Sequence, residues 1–106
     1  MSAKVLGLLG LAQAAGVLQS GRIAVEKAIA RGKAHLVFLA ADAGDDVARR
    51  MAQLCEAQGV PLRRVECKAE LGRAIGRPER SVVAIVDTRF AKRLLAETAE
   101  GRRQPV

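Results

Sequence analysis

Residues 20–40 read SGRIAVEKAIARGKAHLVFLA: a small-residue turn, a short amphipathic stretch with Arg22, Lys27 and Arg31, then an unbroken apolar run. Those residue types at that spacing suit the binding of anions. The first N–H groups of a helix have no partner within it and carry positive partial charge, so they attract phosphate. Gly21, just ahead of them, removes a side chain that would hold a ligand backbone away. With Val25 at the origin of a helical wheel of about 100° per residue, Ala28, Ile29 and Gly32 fall within about 60° of it. Ile23 lies at about 160°, Lys27 at about 200° and Arg31 at about 240°. Lys27 and Arg31 therefore share an outer basic face, with Ile23 beside Lys27 in water.

No other group of residues assembles a catalytic set. His35 is the sole histidine, and it opens an apolar strand without an identifiable nucleophile or carboxylate partner. A structural role at the strand end is expected for it. Asp42, Asp45 and Asp46 follow that strand. Carboxylates so placed can hold a cation or cap a helix and close a turn, and capping is the expectation. Cys55 and Cys67 have a single histidine to join them, which falls short of a zinc ligand set. They read as reduced thiols. The stretch GLLGLAQAAG has close glycines, but lacks the preceding strand and glycine order of a dinucleotide-binding turn. The expectation is no enzyme, no cofactor and no metal.

The composition points the same way. The net charge is +7, the pI is about 10.5, and arginine dominates the basic side. Arginine pairs bidentately with phosphate and base edges. A polyanion partner is expected, nucleic acid ahead of an anionic membrane surface. Phe38 and Phe90 are the only aromatic residues, too few for a base-stacking platform. The apolar N-terminal stretch MSAKVLGLLGLAQAAGVL is broken by glycines and too short to span a bilayer, so it reads as a core helix rather than a leader. A chain of 106 residues fits one domain over 1–106, in the cytoplasm.

Several elements must position the basic helix. A first helix over about 3–16 places Val5, Leu8, Leu9 and Ala12 on one face. A second, over about 22–31, is capped by Ser20 or Gly21 and buries Val25, Ala28 and Ile29. AHLVFLA, at 34–40, is a strand covered on both faces. A third helix, capped by Asp45 or Asp46, runs to about Ala57 with Val47, Met51, Leu54 and Cys55 inward, and ends at Gly59. LRRVE (62–66) is a short strand, and KAELGRAIG a short helix with Leu71, Ala74 and Ile75 inward. VVAIVD (82–87) is a second buried strand, and TRFAKRLLAET a closing helix capped by Asp87 or Thr88. Residues 100–106 are expected to form a frayed tail. A further short strand near Val17 and Leu18 fits. Such alternation makes an α/β fold, with a mixed or parallel sheet and helices on both faces.

Four stretches, in order, resemble the ribosomal L7Ae/L30e family, in particular its small bacterial YlxQ-type branch. They are LLGLAQAAG, SGRIAVEKAIARGKAHLVFLAADA, LCEAQGVPL, and ELGRAIG followed by SVVAIVD, and the resemblance extends from residue 5 to about 95. It implies a three-layer α/β/α sandwich with a mixed sheet of about four strands. It also implies non-catalytic binding of structured RNA, a kink-turn or related internal loop associated with ribosomes, by a monomer. In the family the N-terminus of the second helix enters the groove at tandem G·A pairs, and the matching positions are Gly21, Arg22, Ile23, Ala24 and Lys27, with Arg31 further along. The family's loop before the last strand covers bulged nucleotides. Here that is Ile75, Gly76, Arg77, Pro78 and on through Arg80 to Val82.

The chain departs from the family at two positions. Many kink-turn binders place polar residues at the second and third positions after the glycine, where they read guanine edges; here Ile23 and Ala24 offer no hydrogen-bonding side chain. Loss of base-edge bonds reduces discrimination more than affinity. An alternative reading is a protein-interaction module on the same fold, using Ile23 and the loop 77–81 and keeping only non-specific RNA affinity.

Overall fold

All five residues of Leu36–Ala40 are buried, and their side chains divide between two separate cores. The run does not alternate apolar with polar because both faces of the strand are covered. The computed structural model describes residues 2–102, the last four as backbone only. In chain order the elements are α1 (Ala3–Ala14), β1 (Leu18–Ser20), α2 (Arg22–Ala30), β2 (Leu36–Ala40) and α3 (Asp45–Gln58), then β3 (Leu62–Val65), α4 (Lys68–Ala74), β4 (Val82–Ile85) and α5 (Thr88–Arg102).

The four strands form one mixed sheet in the order β1-β4-β2-β3. β2 runs parallel to β3, with Val37 opposite Leu62. β4 is antiparallel to both its neighbours, with Val83 opposite Phe38 on one side and Ser20 on the other. Leu36, Phe38, Ala40, Val83 and Ile85 point to a core shared with α1, α4 and α5. Val37, Leu39, Val82 and Ala84 point to a core shared with α2 and α3. The result is the three-layer α/β/α sandwich that the family resemblance implied.

Helix ends depart from the sequence expectations in instructive ways. Gly44 is the N-cap of α3, not Asp45 or Asp46. Those two carboxylates occupy the first turn, where negative charge complements the helix dipole. Asp42 caps a different helix: its Oδ1 accepts from Lys68 N–H at 2.8 Å, at the start of α4. Asp87 caps α5 as expected, its Oδ2 accepting from Phe90 N–H at 2.9 Å. Leu8, Val47, Leu54 and Ala74 are half-buried at the margins of the cores rather than inside them. The backbone of α5 is helical through Arg102, beyond the expected end at Thr98; residues 103–106 lie outside the described residues.

The chain from Gly76 to Ser81 folds back against α4. Arg77 N–H donates to Gly72 O at 2.9 Å, and Arg80 N–H to Lys68 O at 3.1 Å. This close approach depends on Gly72. A Cβ there would overlap the carbonyl oxygen of Pro78 and lie 2.7 Å from its carbon and 2.8 Å from Glu79 Cα. The obstructing atoms are backbone, so the loop itself must move. Gly72→Ala is expected to lower unfolding stability by about 2 kcal/mol, the usual cost of overpacking. Urea denaturation checks it, and a wild-type midpoint contradicts the packing role.

Candidate nucleic-acid interface

Gly21 sits where β1 hands over to α2, at φ +92° and ψ 155°. Side chains other than hydrogen rarely adopt that backbone conformation. The conformation lets Gly21 N–H donate to Val82 O at 3.0 Å, one step beyond the Ser20–Val83 pairing. A Cβ built on Gly21 meets nothing within 4 Å, so the space in front of the helix is open. α2 has no side-chain N-cap bond, and its first intrahelical bond runs from Val25 N–H to Gly21 O. The amides of Arg22, Ile23 and Ala24 therefore face that open space as free donors. Val25, Ala28 and Ile29 are buried and fasten the helix to the sheet.

An open groove of about 860 Å³ runs beside α2 from Gly21 to Lys33, with Gln19 and Ser20 of the edge strand β1 on its other side. Arg22, Ile23, Ala24, Lys27 and Arg31 all line it. Ile23 is 68% exposed, as the helical wheel required. Lys27, Arg31 and Lys33 are exposed and make no ion pair within the described residues, so their charge is available to a ligand. Arg22 is shared with Glu26, Nε to Oε2 at 3.7 Å. Lys33 and Gln19 were not singled out from the sequence, and Ser20 was read there only as a possible cap of α2, a place that Gly21 takes. The charge cluster R-G-K at 31–33 was the available signal for Lys33, and nothing marked Gln19 or Ser20 as groove residues.

The loop lies next to this groove but outside its lining. Gly76, Arg77 and Pro78 are exposed, and Arg80 is half-buried with Nη1 donating to Glu79 O at 3.0 Å. Lys68 Nζ lies 3.9 Å from Glu79 Oε1 and ties the loop to α4. The loop enters β4 at Val82, the residue bonded to Gly21, so loop and helix N-terminus present one continuous surface. Ile75 is a correction. It is only 5% exposed and belongs to the core with Leu71, so it anchors the loop and cannot offer its side chain to a ligand.

The remaining candidates are structural. His35 N–H donates to Ile85 O at 2.8 Å. Its side chain borders a small separate depression with Gly59 and Pro61, lined by no carboxylate or nucleophile. Burial pushes the Cys55 thiol up to about 11, so it stays protonated and unreactive near neutral pH. Among the described residues no group of three or more His, Cys, Asp or Glu could hold a metal, and no helix is long and apolar enough to cross a membrane.

The sequence pattern of the ribosomal protein L7Ae/L30e/S12e/Gadd45 family matches residues 3–95. The chain belongs to this family. It is 42% identical over 89 residues to the RNA-binding protein YlxQ of Bacillus subtilis, a match covering 84% of this chain and 89% of that one. It is 36% identical over 88 residues to the large ribosomal subunit protein eL8 of Thermoplasma volcanium, covering 82% and 73%. The solved structure of a protein of unknown function from Bacillus halodurans superposes with a TM-score of 0.86 at 39% identity, covering 90% of this chain and 96% of that one. The L7Ae/L30e relatives are ribosomal-type RNA-binding proteins, a non-enzymatic family, in keeping with the absence of a catalytic set in the sequence.

Within this L7Ae/L30e fold Gly21 is a position at the interface where substitution isolates backbone strain from packing. Gly21→Ala clashes with nothing, so its expected cost of about 1–2 kcal/mol arises from the positive φ alone. A melting temperature unchanged from wild type contradicts that reading.

Proposed function

We propose that this chain is a non-catalytic, monomeric binder of structured RNA, a single RNA-binding domain working in the cytoplasm with ribosomal or similar RNA. The ligand it fits is a kink-turn or a related internal loop. The observation that carries the reading is the Gly21–Val82 hydrogen bond, which joins a helix N-terminus free of side-chain caps to the start of β4, where the loop at 76–81 ends. The free amides and Lys27 receive phosphate at the helix start, and Arg31 and Lys33 continue the positive track along the groove. Gly76, Arg77, Pro78 and Arg80 cover the unpaired nucleotides from the other side. The similarity to a relative named RNA-binding protein YlxQ supports the same partner class.

Ile23 and Ala24 set the character of the binding. Neither can accept or donate from its side chain, so the distorted shape of the RNA is recognised more than its base edges. The exposure of Ile23 also supports a second reading, a protein partner docking on this apolar residue.

Binding of the full chain to a kink-turn RNA and to a straight duplex of equal length, each across a salt series, separates the two. Tighter binding to the kinked RNA that persists at higher salt is expected. Equal and steeply salt-dependent binding to both contradicts motif recognition and favours the protein partner. Lys27→Ala is expected to weaken binding about fivefold at about 0.15 M salt and to lower the salt slope by about one, as loss of one phosphate contact does. An unchanged affinity and slope rules out that role. Ala24→Glu introduces an acceptor and a negative charge, and is expected to change the preference for kinked over straight RNA. An equal change on both RNAs shows that this position does not face the motif.

A further inference from the structure

One carboxylate on the basic helix forms ion pairs with two guanidinium groups. Glu26 lies one turn beyond Arg22 on α2, and its Oε2 is 3.7 Å from Arg22 Nε. Its Oε1 is 3.8 Å from Nε of Arg50, which comes from α3. The Glu26 side chain is 28% exposed, whereas those of Arg22 and Arg50 are 57% and 55% exposed. The carboxylate thus sits low between the helices, and the two arginine forks stand above it. Both face Glu26 through Nε, which leaves Nη donors of each fork for another anion. Arg49, the neighbour of Arg50, pairs instead within its own helix, its Nη1 3.7 Å from Asp46 Oδ1.

Charge counting alone gives this carboxylate no favourable role. It lowers the positive potential of a face that is otherwise cationic, and exposed ion pairs contribute little to stability. Its effect is geometric: it holds two planar donor groups, from two helices, around a single point. We infer that Arg50 is a further phosphate-binding residue, and that Glu26 is a positioning residue that sets Arg22 and Arg50 to receive one phosphate of the RNA backbone on the α3 flank of α2. The inference rests on the RNA-binding reading above and enlarges it. No α3 residue lines the groove, whereas Arg22 does, so Arg22 stands at the groove's margin and Arg50 extends the cationic surface from it onto α3, with Lys27, Arg31 and Lys33 along the groove itself.

The test uses the full chain, a kink-turn RNA and a salt series, with Arg50→Ala, Glu26→Gln and Arg49→Ala beside wild type. Arg50→Ala is expected to weaken binding about fivefold at about 0.15 M salt and to lower the salt slope by about one, while Arg49→Ala stays within about twofold. Glu26→Gln is the sharper probe. A carboxylate that only repels RNA gives tighter binding when neutralised; a positioning carboxylate gives weaker binding, here by about threefold, despite the lost negative charge. Tighter binding by Glu26→Gln, or wild-type affinity and slope in Arg50→Ala, overturns the inference and leaves the RNA reading intact. Failure of wild type to prefer the kinked RNA over a straight duplex overturns both. Should Arg50→Ala melt early, Arg50→Gln carries the same measurement.

Discussion

The hydrogen bond from Gly21 N–H to Val82 O, made at a positive φ, is the constraint on which the arrangement of the interface depends. It extends the ladder between the edge strand β1 and β4 by one residue and then releases the chain into α2. Three consequences follow from that one turn. The first amides of α2 point outward without a side-chain cap. The loop that precedes β4 is brought against the same spot. The absence of a Cβ leaves the approach open. A residue with a side chain at position 21 would strain the backbone and narrow the approach at once.

The sheet makes this placement rigid. β2 and β4 are buried at every position and feed two cores, so neither face of the sheet can shift without disturbing packing on both sides. α2 spends Val25, Ala28 and Ile29 on one core and keeps Arg22, Ile23, Lys27 and Arg31 for the surface. The loop is held in the same way, by Ile75 in the other core and by the tight contact over Gly72. Under the proposed function, a preorganised helix end and loop reduce the ordering cost of binding.

The parts of this fold governed by local rules were legible in the sequence. The apolar runs at 36–40 and 82–85 are strands because nothing interrupts them and turn residues bound them. The wheel of α2 placed Ile23, Lys27 and Arg31 outward, where the structure has them exposed. Features that depend on tertiary contact were not legible. Asp42 caps a helix 26 residues away, which no local pattern announces, and capping of α3 fell to Gly44 instead of the neighbouring aspartates. Ile75 shows two readings in conflict: its spacing from Leu71 put it in the core, the family's loop put it at the surface, and burial decides for the core. The count of about four strands in a mixed sheet came through family resemblance, and their order was not legible at all, because pairing partners leave no period in a single chain. The meeting of Glu26 with Arg50 needed two helices side by side.

Amide chemical-shift mapping of the isotope-labelled chain, titrated with a kink-turn RNA, tests the central claim most directly. The shifts are expected to concentrate at residues 19–33 and 76–82, strongest at the amides of Gly21 to Ala24, with Arg50 included and the outer faces of α1 and α5 silent. Shifts centred on α1 and α5, with Gly21 to Ala24 unmoved, would contradict it.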